Sequence, residues 1–327
     1  MKEPTAPGTV TSTHLDSGDP DLVLLEVDTG PLRAVFLPSV GGRLLSLRIE
    51  GRELLWVNPR IFDASFKALV PRGAWPVVDG TFPSWTNVGG SKTWPAPQGW
   101  DGNHQWPGPP DAILDSGRWS LTTTQLPEEL TVTMVSPHDP RTGLCITREF
   151  KFDAGSTSFH ESIRFLNVST RDVEWSLWEV VQTDTSAGGV VNVSVCTDAA
   201  PIDLGRYSGS VEVSVGDGVA RLQVAPGVAK FGFPNATGRV AWWGGGGERL
   251  QLTVEVDEAA RYPDQGSRVE LWTQSPLPKP LGQLDGFHPD AWLVELEVLS
   301  PLYKLRPSES ADFDIRWDAC CRTAGRQ

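Results

Sequence analysis

The sequence predicts an all-β fold, a large antiparallel β-sandwich, from three observations. Apolar and polar residues alternate with period two in many short runs, the pattern of half-buried strands. Gly and Pro together number 60 of the 327 residues, dense enough to interrupt any long helix. No linker of distinct composition separates the runs, so one architecture accounts for all of them.

Taken in order, the expected strands are 22–27, 32–37, 43–49, 130–135, 144–152, 159–167, 173–183 and 190–195 in the first part of the chain. They continue at 210–215, 220–224, 239–243, 250–256, 268–273, 292–299 and 311–317. Only short helical turns are expected, for example near 63–69. Residues 1–20 are polar and Pro-containing and are expected to form a flexible N-terminal segment, 21–318 a single domain, and 319–327 a C-terminal tail. One stretch breaks the alternation. Residues 71–110 hold 8 Pro, 7 Gly and five of the 14 Trp: Trp75, Trp85, Trp94, Trp100 and Trp106. A long connection rich in aromatics reads as an ordered, functional loop, whose indole faces suit stacking on a sugar ring or another flat, partly apolar ligand. The plain alternative is that these Trp anchor the loop to the core.

Composition excludes several partners. With 28 Lys and Arg against 41 Asp and Glu, the formal charge is -13, against the clustered positive charge that nucleic-acid binding needs. No apolar run approaches the roughly 20 residues of a membrane helix, and the N-terminal stretch lacks an apolar signal core, so a cytoplasmic location is expected. The four Cys show no zinc or redox spacing, and Cys145 and Cys196 are expected to be buried thiols within strands. No metal and no cofactor are expected, nor a nucleotide loop, since Gly244–Gly247 carries no Lys-Ser or Lys-Thr pair.

Several residues have the chemistry of a site. In the strand 292–299, alternation puts Leu293, Glu295, Glu297 and Leu299 on one face, with successive carboxylates about 7 Å apart along it. If that face lines a concave pocket, the pair can work as acid and base; otherwise it is a solvated outer face. Trp178 and Gln182 share one face of their strand, while Trp175, Leu177, Glu179 and Val181 share the other. One of those faces is core and the other is available for a ligand. Lys92, after Gly89 and Gly90 and beside Trp94, offers three donors for a hydroxyl, carboxylate or phosphate, with Gln98 as a second polar contact. Arg43 shares a face with Leu45 and Leu47, which makes it either a pocket residue or a paired buried Arg. Among the five His, His104 lies in the Trp-rich stretch with an ordinary pKa near 6.5 that suits an acid, and His288 precedes Glu295 by seven residues.

Four segments together resemble the galactose-mutarotase-like (aldose 1-epimerase-like) superfamily. They are GGRLLSLRIEGRELLWVNP at 41–59, GGSKTWPAPQGW at 89–100, VEWSLWEVVQTD at 173–184 and AWLVELEVLSPLYKLRPSESADFDIRW at 291–317. The resemblance is nearest to members with a GGxKTWPAPQ-type segment. It implies a β-supersandwich with few short helices and a cofactor-independent isomerase or epimerase acting on a sugar or sugar-like cyclic hemiacetal. In that chemistry one group removes the anomeric hydroxyl proton while another protonates the ring oxygen. By resemblance Glu295 is the base and Lys92 stands where an Arg binds substrate hydroxyls; Trp94, Gln98, Trp178 and Gln182 are expected to orient the substrate, with Arg43 a further candidate contact. The family's mid-chain His is replaced: the chain reads Trp178-Glu179-Val180-Val181-Gln182 and has no His between His160 and His288. The acid is then expected from His104 or Glu297. The expected partner is a small carbohydrate or cyclic polyol, bound by a monomer or homodimer. A carbohydrate-binding protein without turnover, and an acid–base enzyme for a non-sugar metabolite, are the alternatives.

Overall fold

A computed structural model describes residues 9–99, 101, 102 and 104–321. The expected all-β, antiparallel architecture is what it shows: two large sheets face each other, and strand labels below follow chain order. The first sheet runs β1 (Thr11–Leu15), β2 (Leu24–Asp28), β3 (Leu32–Leu37), β4 (Arg43–Ile49), β6 (Ser91–Ala96), β11 (Val173–Asp184), β20 (Leu293–Leu299), β19 (Val269–Gln274), β16 (Gly227–Phe233) and β13 (Ile202–Gly209). Short strands β5 (Arg52–Glu53) and β21 (Tyr303–Leu305) pair with β4 and β11. The second sheet runs β14 (Val213–Gly216), β15 (Val219–Gln223), β12 (Gly189–Val195), β17 (Ala236–Gly244), β18 (Glu248–Val254), β22 (Ser310–Cys321), β10 (Ser158–Asn167), β9 (Leu144–Asp153), β8 (Glu129–Val135) and β7 (Ser120–Gln125). Among the described residues helical structure is confined to single turns at Arg72–Ala74, Phe82–Ser84, Pro263–Gly266 and Gly282–Leu284. Among the described residues no helix is long and apolar enough to cross a membrane.

Alternation explains how the sheets meet. On β9, Leu144, Ile146, Phe150 and Phe152 are buried while Glu149, Lys151 and Asp153 are exposed. They pack with Phe36 of β3, Leu177 of β11 and Val298 of β20 in a core to which both sheets contribute. Inside that apolar layer lies one charged group. Arg148 of β9 contacts Glu161 of β10 at 2.8 Å and Glu179 of β11 at 2.7 Å, with all three side chains fully buried. Trp317 Nε1 and Thr93 Oγ1 donate to the remaining oxygens of Glu161 and Glu179, so the cluster is hydrogen-bonded as buried charge must be. Because Arg148 reaches across from the second sheet, the Glu179 face of β11 is the inter-sheet face. Trp178 and Gln182 therefore face outward.

Several local expectations are corrected. Residues 11–15, expected in a flexible segment, form β1, in register with β2. Residues 319–321 continue β22 rather than a tail; the rest of that tail lies outside the described residues. Cys196 is exposed and follows β12 instead of being buried in it. No helical turn forms at 63–69: Asp63 Oδ1 accepts from the backbone N–H of Ser65 and of Lys67, and Phe66 takes a left-handed φ of 64°. The Trp-rich stretch is not wholly irregular, since Ser91–Ala96 forms β6, buried at every position between β4 and β11. Pro95 hides this strand in the sequence, because Pro inside a run argues against a central strand. Also unmarked by clear alternation are β7, β13, β16 and β21.

Candidate active site

The outward face of the first sheet carries the functional side chains on five adjacent strands, β6, β11, β20, β19 and β16. Register sets their neighbours. Trp178 lies opposite Trp94, Gln182 opposite Glu295, Trp272 opposite Glu295 on the other side, and Glu270 opposite Glu297. Directly opposed residues have Cβ atoms about 4.5–5.5 Å apart, so each of these pairs is in reach. Gly90, just before β6, has φ of 77°, and a Cβ there would stand 2.3 Å from the Leu44 carbonyl oxygen. Only glycine allows this approach, which seats β6 against β4 and delivers Lys92 and Trp94 to the outward face.

A cavity of about 160 Å³ opens on this face. Glu295, Glu297, Gln182 and Lys230 are among its polar groups, with Asn87, Gln98 and Gln274, and Trp94 and Trp178 are part of its wall. Trp85, Phe82 and Phe287 close one side, and Trp272 and Tyr207 another. The aromatic wall is continuous: Phe82 and Phe287 rings lie 5.2 Å apart, Phe287 and Trp272 6.0 Å, and Trp272 and Tyr207 5.7 Å. Trp94 and Trp178 meet edge to face at 5.5 Å.

Glu295 is held by one oxygen. Lys92 Nζ lies 3.0 Å from its Oε1 and Gln182 Nε2 donates to the same atom at 2.7 Å, while Oε2 has no hydrogen-bond partner among the described residues. Lys92 is only 1% exposed, packs 4.7 Å from the Trp94 ring centre, and does not line the cavity. Burial pulls its pKa below the ordinary lysine range, against the opposing pull of Glu295. Lys92 thus stands behind Glu295, and the cavity reaches the carboxylate rather than the ammonium expected to contact a substrate directly.

Glu297 is fully buried. Its Oε2 accepts from Trp178 Nε1 at 2.8 Å and lies 3.2 Å from Lys230 Nζ, which also lies 2.7 Å from Glu270 Oε2. Burial raises the Glu297 carboxyl, with Lys230 opposing, and pushes Glu270 well above the usual carboxylate range. Burial works against the Lys230 charge, but the two carboxylates outweigh it and raise its pKa.

The other expected residues divide. Gln98 is exposed at the cavity rim, its Nε2 3.4 Å from the Pro107 carbonyl. Arg43 takes the paired, buried alternative: it is fully buried, lies 2.7 Å from Asp115 and does not line the cavity. Asp115 in turn accepts from Trp85 Nε1 at 2.9 Å, so Arg43 acts on the aromatic wall from behind. His104 is exposed in a separate depression shared with Arg171, Lys304 and Glu309, and is not brought to Glu295. His288 lies outside the cavity in an adjoining depression, its Nε2 2.8 Å from the Leu277 carbonyl oxygen. Of the Trp in the 71–110 stretch, Trp85 and Trp94 face the cavity, Trp75 and Trp106 are buried anchors, and Trp100 lies outside the described residues.

Lys230, Glu270, Trp272 and Tyr207 were not singled out in the sequence. A signal existed for two of them: Lys230 is the one charge in the otherwise apolar run GVAKFGF, and Glu270 alternates with Trp272 within an expected strand. Among the described residues no group of three His, Cys, Asp or Glu could hold a metal ion.

No protein-family model and no curated protein matches the chain. Solved structures do. A galactose mutarotase-like protein from Clostridium acetobutylicum superposes with a TM-score of 0.58 at 10% identity, over 96% of this chain and 99% of that one. A galactose mutarotase-like protein from Lactobacillus casei gives 0.52 at 11% identity, over 91% and 100%. A TPR-domain containing protein from Parabacteroides distasonis gives 0.59 at 12% identity over 96% of this chain, which spans about half, 53%, of that longer one. At these identities the likeness is one of fold, and the fold of this chain is that of the galactose-mutarotase-like proteins.

Proposed function

We propose that this protein is a cofactor-independent isomerase that interconverts the anomers or epimers of an uncharged, sugar-like cyclic hemiacetal by general acid–base proton transfer. The observation that carries this reading is Glu295: one oxygen is fixed by Lys92 and Gln182 and the other is left without a partner at the cavity. A base so held needs no reorganisation to accept a proton. Glu297, two residues along the same face, is the complementary acid, and Trp94, Trp178 and Trp272 provide ring faces for the apolar side of a sugar.

The charge balance favours an uncharged ligand. Lys92, Lys230 and Arg43 are each engaged by a carboxylate, so among the described residues at the cavity no cation is left for a phosphate or carboxylate on the substrate.

The test is exchange NMR near equilibrium on a panel of reducing sugars with wild type and Glu295→Gln. Accelerated anomer exchange that is lost in the variant supports the reading. Full activity in the variant overturns it. Binding without acceleration would assign the cavity to a carbohydrate-binding protein, a reading favoured by the lack of any His at the cavity among the described residues.

A further inference from the structure

Glu270 of β19 and Glu297 of β20 are directly opposed in register, and both side chains are buried. They share a single cation. Lys230 Nζ lies 2.7 Å from Glu270 Oε2 and 3.2 Å from Glu297 Oε2, and among the described residues the only other donor to either is Trp178 Nε1, to Glu297 Oε2. Among the described residues Glu297 Oε1 and Glu270 Oε1 are buried without a hydrogen bond, and Glu270 Oε2 meets the Lys230 ammonium alone. Two carboxylates without solvent exposure against one ammonium leave a net negative charge that is poorly screened.

One proton resolves both problems. It removes the excess charge, and it turns one orphan oxygen into a donor for another. Like-charged carboxyls held together do not both ionise in the ordinary range, and the pair retains a proton that either alone would release. The surroundings agree. Glu295 lies on the same face of β20 and Asp264 bears on Glu270, each adding negative charge. From β13 Tyr207 bears on Lys230 and on Asp203, and Trp178 on β11 is uncharged.

We infer that Glu270 and Glu297 share one proton across the β19–β20 pair, and that Glu270 is the positioning residue that keeps Glu297 in its proton-donating form. The role in catalysis rests on the proposed isomerase reading; the shared proton does not. In that reaction Glu295 takes the proton of the anomeric hydroxyl as Glu297 gives its proton to the ring oxygen, and the ring C–O bond breaks to leave a carbonyl. Lys230 and Trp178 hold the Glu297 carboxylate so formed. Ring closure on the other carbonyl face returns both protons, so nothing is consumed.

The experiment is carboxyl carbon NMR of the full chain labelled at Glu, titrated with pH, with Glu297→Gln used to assign the signal. The expected result in wild type is a Glu carboxyl that keeps its proton through neutral pH. In Glu270→Gln, the amide can donate to Glu297 without sharing a proton, so the Glu297 titration should move down by about one pH unit or more. If anomer exchange is found, the alkaline limb of its pH profile should move with it, and the rate at pH 8 should fall by about tenfold or more. Ordinary titration of both carboxyls in wild type overturns the shared proton, whether or not any sugar turns over. An unmoved Glu297 titration in a folded Glu270→Gln overturns the role of Glu270. Should that variant not fold, the wild-type titration still decides whether the proton is there. Absence of turnover with the shared proton present would sink the isomerase reading alone.

Discussion

Gln182 and Glu295 stand opposite each other on β11 and β20, and the Gln182 amide donates to Glu295 Oε1 at 2.7 Å, beside the Lys92 ammonium at 3.0 Å on the same atom. The convergence of two donors on one oxygen turns the other oxygen to the cavity. From this arrangement and from the buried charges around it, several outcomes follow.

Lys92→Met keeps most of the buried stem and removes the ammonium. Glu295 then keeps Gln182 but loses the charge that pins its rotamer. We expect kcat for anomer exchange to drop by about 10²-fold with a smaller change in KM, as misplacement of a reacting group does. Steady-state kinetics on the best sugar of the panel measures this. An unchanged kcat would show that Gln182 alone orients Glu295.

His104→Ala should leave anomer exchange unchanged within about twofold. The side chain is exposed in a depression apart from the cavity, and surface substitutions of this kind usually change stability by no more than about 0.5 kcal/mol. A large rate loss in a folded His104→Ala protein would bring the acid assignment back from Glu297 to His104.

Arg148→Met should destabilise the fold by about 3–5 kcal/mol, since it leaves Glu161 buried without its cation and takes from Glu179 the hydrogen bond of the guanidinium. Denaturant unfolding of the two proteins reads the difference. A loss below about 1 kcal/mol would mean that the two carboxyls are both neutral in the folded protein.

Stability should fall as the pH is raised from 4.5 to about 8. Burial, opposed by Arg148, raises Glu179 from its ordinary 4.5 to about 8. Between those values the folded chain holds a proton that the unfolded chain has released, so rising pH favours the unfolded state. The contribution is complete below 4.5 and gone above about 8. Glu179→Gln, which cannot titrate, should flatten this part of a plot of Tm against pH. A slope that survives unchanged in the variant would assign it to other groups.

Much of this was legible in the chain itself. Alternation showed the antiparallel strands and placed Glu295 beside Glu297, and Trp178 beside Gln182, because the faces of a strand depend on nothing but local pleat. What alternation does not contain is which face is outside. That was decided by Arg148, which crosses from the second sheet to Glu179 and so turns Trp178 and Gln182 toward the cavity. Lys92 reads in the sequence as a free loop cation, yet Gly90 and the β4–β6–β11 pairing bury it against a Glu 203 residues away. Glu270, Glu297 and Lys230 form one charge cluster only because β16, β19 and β20 are neighbours in the sheet. Strand order and register join residues far apart in the chain, and a local pattern does not carry that information. The sequence by itself determined the class of fold and the chemical types available on each strand; the tertiary structure alone decided which charges meet, which are spent on one another, and which oxygen is left to act.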